Sequence, residues 1–341
     1  MRILVIGDMH FRVELPYGTA FQDGRRAEWA AVLRTIHDAA KKCDAVVLLG
    51  DSFNAKHNHS SVIHEFVSFL KDFGDKEIHI IIGNHSRYGE YTALDFLKRM
   101  QHGNWHVYTE PVSVKVAGID AAMIPFMTPA LLGTHTREDG VNKLLNTLPK
   151  GELAFIHHAF HGSNVRGTAL DLADFFNEIV LPSEIFSQAY KYTFAGHIHE
   201  KQRIDANIIV AGSIFTHEAG EHEKSIWIYD SEAKDAITEI PLPIRGIYKI
   251  IWESNDDKEA LPSNSIVKCY VTNRQTNLED VKKYLGFYDA SMIVEQYPSE
   301  RIKTHFEGKL LDLSIDTLLH LFAEAKGLSY QDLKEGFDLI V

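Results

Sequence analysis

Through the first two thirds of the chain, runs of about four or five apolar residues recur, and each stops at glycine or a polar residue. Ile3 to Ile6 closes on Gly7-Asp8-Met9-His10, Val46 to Leu49 on Gly50-Asp51, and Ile78 to Ile82 on Gly83-Asn84-His85. Leu153 to Ile156 closes on His157-His158, and Tyr192 to Ala195 on Gly196-His197-Ile198-His199. Short continuous apolar runs of this kind predict strands buried on both faces. Between them the spacing is helical: Trp29, Val32, Leu33, Ile36 and Ala40 form one face, Val62, Phe66, Phe69 and Phe73 a second, and Tyr91, Leu94, Phe96 and Leu97 a third. Phe11 to Gly24, carrying Pro16 and Gly18, is predicted as a loop. Val112 to Val116 and Ala121 to Pro125 predict an antiparallel pair turned at Gly118, and the polar stretch Thr128 to Lys150 is helical in part. Strand–helix alternation of this order predicts an α/β fold built from βαβ units.

Beyond Ile240-Pro241-Leu242-Pro243, a proline-marked linker, the pattern changes. Ile247 to Trp252, Ile266 to Val271 and Met292 to Gln296 predict strands, with a helix over Leu278 to Leu285, so this part forms a small α+β module. Further on, Ile315, Leu318, Leu319, Phe322 and Ala325 share one helical face after the N-cap candidate Ser314. Tyr330, Leu333, Phe337 and Ile340 mark a shorter helix beyond Gly327 and Ser329, completing a helical hairpin. The resulting division is 1–243, 244–305 and 306–341.

With 341 residues and 45% apolar content, the chain can bury a large α/β core and smaller additions. Cys43 and Cys269 lack metal-type spacing, which points away from a disulfide framework and toward a reducing compartment. No apolar run is long enough for a membrane span, and Met1-Arg2-Ile3-Leu4 enters a strand at once, so a soluble, cytoplasmic protein is expected. The formal net charge of -12 excludes a generally basic nucleic-acid coat; any DNA binding must rest on metals and local patches.

A single Asp or His after a strand is ordinarily a turn former or cap, and His57 and His59 are read as solvated loop residues. Five strand ends, in order, presenting Asp, Asn or His are a different matter. Carboxylate, amide oxygen and imidazole make a mixed oxygen–nitrogen ligand set, and one bridging carboxylate can hold two cations. Asp51 is the candidate hub. His157 and His158 compete for one position, and the strand end favours His157.

The ordered set Asp8-x-His10, Gly50-Asp51, Gly83-Asn84-His85, His157 and Gly196-His197-x-His199 resembles the calcineurin-like metallophosphoesterases, and among them the Mre11/SbcD-type nuclease subunits, phage recombination endonuclease subunits included. Ile209 to Phe215 and Ser225 to Asp230 extend the similarity to about residue 250. The resemblance implies a four-layer α/β/β/α sandwich with a small α+β capping domain and the C-terminal helical hairpin. It implies two divalent ions, Mn²⁺ by family habit, one held by Asp8, His10, Asp51 and His199 and the other by Asp51, Asn84, His157 and His197. His85 would protonate or orient the leaving oxygen, its alternative role being support of a ligand. The implied partners are DNA, a second copy through the two helices after the second and third motifs, and a Rad50/SbcC-like ATPase whose coiled coil the hairpin clasps. The plainer alternative has the hairpin packing on its own capping domain. Asn54 and Ser86 depart from the family pattern and disfavour a Ser/Thr protein phosphatase. A small-molecule phosphodiesterase or phosphatase on the same core is the competing function, and the roughly 100 residues after the core speak against it. A catalytically silent binding subunit has no chemical reason to keep every ligand.

Overall fold

The computed structural model describes residues 1–15, 18–88, 91–100, 103–165, 168–169, 178–218, 220–252, 261–286, 288, 290–295 and 334. The helical hairpin expected over 306–341 therefore lies, apart from Lys334, outside the described residues.

Two six-stranded sheets form the body of the protein. In the first, Arg2–Ile6, Ala45–Leu48, Glu77–Ile81 and Trp105–Tyr108 run parallel, and Ser225–Asp230 and Ile237–Pro241 add antiparallel strands at the Arg2–Ile6 side. In the second, Ile119–Ile124, Leu153–Ile156, Tyr192–Ala195 and Ile208–Val210 run parallel between antiparallel edges at Val112–Val116 and Gln202–Asp205. Side chains alternate across each strand. Ile3, Val5, Val47, Met123, Phe155 and Phe194 thus meet in one buried cluster between the sheets. Leu4, Ile6, Val46 and Leu48 point the other way, onto Trp29, Val32, Ile36, Phe66 and Phe69 of the helices Gly18–Ala40 and Ser60–Lys71. Ile124, Ile156 and Ala195 pack on Leu144 and Phe186 of the helices Arg137–Asn146 and Ser183–Ala189. Burial on both faces is why these strands read as continuous apolar runs.

Three predicted boundaries move. The helix begins at Gly18, inside the stretch expected to be a loop. Two glycines cost about 1 kcal/mol each in a helix, but tertiary docking outweighs them: the fully buried Arg25 donates to the Thr216 carbonyl and hydroxyl at 2.9 Å each and lies 4.0 Å above the Phe215 ring. The helix expected over Tyr91 to Leu97 is helical only at Asp95–Arg99, and Tyr91–Thr92 pairs instead with Arg87–Tyr88. The Asp95 carboxylate takes the Thr92 N–H (2.8 Å) and hydroxyl (3.0 Å), a side-chain bond that competes with helical pairing upstream. The third strand of the small module spans Ala290–Glu295, not Met292 to Gln296.

That module is a parallel three-stranded sheet of Ile247–Trp252, Ile266–Val271 and Ala290–Glu295. Its helix, Leu278–Leu285, is capped by Asn277, and Trp252, Val267, Cys269, Val281 and Leu285 form a core of its own. Cys43 and Cys269 are both buried, and neither is in a disulfide among the described residues. Among the described residues no helix is long and apolar enough to cross a membrane.

Candidate metal centre and active site

In open α/β sheets chemistry collects beyond the carboxyl ends of the parallel strands. Here five such ends lead into the loops that carry Asp8 and His10, Asp51, Asn84 and His85, His157, and His197 and His199. The first two loops are zipped together: His10 N–H donates to the Asp51 carbonyl (2.8 Å), Phe11 N–H to Ser52 (2.9 Å) and Asn54 N–H to Phe11 (3.1 Å). Holding them so closely costs backbone strain. His10 (φ 50°), Asp51 (φ 37°) and His197 (φ 81°) adopt the left-handed region that non-glycine residues avoid.

Asp8 and Asp51 are buried side by side, 0% and 2% exposed, and burying two carboxylates without cations is prohibitive. Their proton affinities split. Burial, reinforced by Asp51, raises Asp8 above its ordinary range. Burial also disfavours the charged form of Asp51, yet His157, His10 and His85 outweigh it and hold that carboxyl well below the usual range. Among the described residues Asp8 Oδ2 has no hydrogen-bond partner, nor does His10 Nδ1.

The imidazoles show the same need for positive charge. His157 Nδ1 lies 2.6 Å from the Leu49 carbonyl, so it carries the proton and donates. Its other nitrogen, Nε2, faces Asn84 Oδ1 (3.0 Å) and Asp51 Oδ2 (3.4 Å), where an arriving cation would take the place of its proton. Burial lowers the affinity of His157 for a proton, but Asp51, Asp8 and the Leu49 carbonyl overcome it and lift its pKa to about 9. His197 repeats the arrangement: Nε2–H donates to Glu178 (2.9 Å), leaving Nδ1 at 3.2 Å from Asn84 Oδ1. His199 Nδ1 is 3.4 Å from Glu221, leaving Nε2 at 2.9 Å from His10 Nε2. Outward N–H on an acceptor, inward lone pair free, is how ligating imidazoles are prepared. The donor set therefore fits divalent cations.

His85 is placed differently. Its backbone N–H donates to Asp51 Oδ1 (2.9 Å), its Nδ1 donates to the Asn54 carbonyl (2.9 Å), and its side chain is 43% exposed. Because Asn54 serves through its main chain, the departure from the family pattern there does not disturb His85. His158, the competitor of His157, spends both nitrogens on scaffold: Nε2 accepts from Met127 N–H (3.1 Å) and Nδ1 faces the Ile179 carbonyl (3.2 Å). Burial, with His197 and His157 nearby, lowers it to about 3. His59 caps the Ser60–Lys71 helix by accepting from Ser61 N–H (3.2 Å).

The sequence pattern does not reveal four groups that the fold brings here. Glu178 and Glu221 orient His197 and His199. Lys224, 2% exposed, donates to the His199 carbonyl (2.9 Å) and Ser213 Oγ (2.7 Å) and pairs with Glu221 (2.8 Å). His217 groups with His10 and His199, ring nitrogens of the three lying within 4.8 Å. The available signal was the charged triplet Glu221-His222-Glu223 with Lys224 enclosed between two apolar strands.

Buried carboxylates, an amide oxygen and imidazoles prepared to accept a cation, all at the strand ends of an α/β body, define a metal-dependent hydrolase site. The family model for the calcineurin-like phosphoesterases matches residues 1–201, and the chain belongs to that family, whose members hydrolyse phosphoesters with divalent metals. A protein of Invertebrate iridescent virus 6, described as phosphoesterase 244L, is 21% identical over 259 residues, covering 73% of this chain and 82% of its own length. A Streptococcus pneumoniae TIGR4 protein of solved structure, described as a conserved uncharacterized protein, aligns over 70% of this chain and 97% of its own at 13% identity. Its TM-score of 0.28 carries no argument about this fold.

Proposed function

We propose that this protein is a two-metal phosphodiesterase acting on DNA, the nuclease subunit of an Mre11–Rad50-like complex, on a four-layer α/β/β/α sandwich. The observation that carries the hydrolase reading is the convergence of seven candidate ligands. Asp8, His10, Asp51 and His199 would hold one ion, and Asp51, Asn84, His157 and His197 the other, with Asp51 bridging. When bound, such ions polarise a phosphoryl group and supply a nucleophile from water near neutral pH. The protein's own residues do the rest. Leu49, Glu178 and Glu221 hold three imidazoles in register, and the 2.9 Å bond from His85 N–H ties the leaving-group residue to the bridging carboxylate. His85 Nε2, 4.0 Å from Asp51 Oδ2 on a half-exposed ring, is the group that would reach the leaving oxygen.

The three-stranded module, which lies beyond the residues matched by the family, supports DNA as substrate. It is joined to the loop that orients His199, with Ile247 N–H donating to the Glu221 carbonyl (2.9 Å) and His222 stacked on Tyr248 at 4.2 Å. On its sheet Lys249 and Lys268 each lie over Tyr270, at 5.1 and 5.2 Å, a cation–aromatic surface suited to a nucleic-acid strand. Such a local patch answers the net charge of -12, part of which two divalent ions neutralise. Incubation with Mn²⁺ and end-labelled linear DNA beside bis-p-nitrophenyl phosphate tests the reading. Cleavage of the small ester with DNA untouched, with and without the ATPase, would replace it with a small-molecule phosphodiesterase.

A further inference from the structure

His217 sits among the ligand imidazoles, its ring centroid 4.9 Å from that of His10 and 5.0 Å from that of His199. A third histidine in such a place invites the role of a further metal ligand. Its hydrogen bonds argue otherwise. His217 Nδ1 lies 2.7 Å from Arg12 Nη2. A guanidinium only donates and stays protonated in proteins. His217 Nδ1 must therefore be the acceptor, and the proton of the neutral ring sits on Nε2. That is the reverse of His157, His197 and His199, whose outward nitrogens face a carbonyl or carboxylate and leave the inward nitrogen to a cation. The main chain of His217 is pinned as well, its N–H donating to Glu221 Oε2 at 2.8 Å, the carboxylate that also orients His199. Nε2 is buried and has no hydrogen-bond partner among the described residues. A buried N–H left unpaired costs about 1–3 kcal/mol, so it calls for an acceptor that arrives with a ligand.

We propose that His217, held in this tautomer by Arg12, is a phosphate-binding residue: its Nε2–H donates to a non-bridging oxygen of the phosphodiester seated at the metal centre. This rests on the hydrolase reading above and deepens it by naming a substrate contact. The Arg12 guanidinium, whose Nε is also buried and without a hydrogen-bond partner among the described residues, lends its charge from behind the ring. Arg12 is thus a positioning residue and His217 the group in contact with substrate.

Three measurements test this. Long-range ¹⁵N correlation spectra of the metal-free protein, with His217→Ala to assign the signal, should show His217 protonated at Nε2 and bare at Nδ1; the opposite tautomer overturns the proposal. In calorimetric titrations His217→Ala should bind Mn²⁺ with unchanged stoichiometry, and loss of one ion would make His217 a ligand instead. Inorganic phosphate should bind the Mn²⁺-loaded alanine variant about 10- to 100-fold more weakly, the span of one hydrogen bond to a charged acceptor. His217→Gln, which keeps an N–H near the Nε2 position, should restore most of that affinity and serves equally if the alanine variant does not fold. Unchanged phosphate affinity in His217→Ala, or no recovery in His217→Gln, refutes the role. If phosphate binding falls as expected while no phosphodiester is cleaved, the anion site stands and the phosphodiesterase reading fails.

Discussion

Gly50→Ala is the substitution that most directly asks whether backbone close approach sets the metal centre. Gly50 has φ +105°, and a Cβ there would lie 2.7 and 2.8 Å from Cγ and Cε1 of His157 and closer still to Nδ1. Restoring van der Waals separation needs a displacement on the order of 1 Å. The ring has no room to give it. His157 is fully buried, its Nδ1 is bonded to the carbonyl of Leu49, the residue before Gly50, and its Nε2 is 3.0 Å from Asn84 Oδ1. The backbone conformation costs an alanine about 1–3 kcal/mol and overpacking about 1–3 kcal/mol more, so a loss of about 2–6 kcal/mol is expected. A shift of that size in a ligand typically costs about 10²-fold in rate. Gly74→Ala is the control, since Gly74 also has positive φ (+66°) but nothing lies within 4 Å of an added Cβ. It should lose only the backbone contribution, about 1–2 kcal/mol, and keep full activity. Urea unfolding, Mn²⁺ titration and turnover of bis-p-nitrophenyl phosphate measure the three consequences. If Gly50→Ala resembles Gly74→Ala in stability, binds two ions normally and turns over at the wild-type rate, the Gly50–His157 contact does not organise the site.

Asp51→Ala should abolish activity because the proposed bridge would serve both ions; turnover above about a tenth of wild type in saturating Mn²⁺ would break the two-metal scheme. His85→Gln should leave Mn²⁺ stoichiometry intact and lower the rate by about 10²- to 10⁴-fold, the span of a lost general acid, and a fall in metal content would reassign His85 as ligand support. Burial and His106, against Glu77, lower buried His79 from 6.5 to about 4. The unfolded chain therefore binds the extra proton between those values, and stability falls as pH drops from 6.5 toward 4, by up to about 3 kcal/mol. His79→Gln should flatten that slope in urea unfolding between pH 7.5 and 4.5, and an unchanged slope would show that His79 does not titrate there. If the proposed Rad50-like ATPase binds residues 306–341, deleting them should leave a folded enzyme active on the small ester that no longer co-purifies with that ATPase; aggregation, or loss of that activity, would place the segment in the core.

What the sequence determined by itself were the strand ends and the residue types gathered at them. Both are local: a buried strand must be apolar throughout, and the turn after it must begin with residues that tolerate unusual φ or accept backbone hydrogen bonds, so Gly50-Asp51 and Gly196-His197 are visible without a partner. The helix start at Gly18 was not visible, because its stability comes from Arg25 docking on Phe215 and Thr216, far along the chain. Nor was the state of any imidazole. Which nitrogen of a histidine carries its proton depends on whether the facing atom accepts or donates, and those atoms are remote in sequence: Leu49 for His157, Glu178 for His197, Glu221 for His199 and Arg12 for His217. The chain names the histidines, and only the tertiary structure, by bringing an oxygen or a guanidinium to the outward nitrogen, decides which of them turn a lone pair inward and which one a proton.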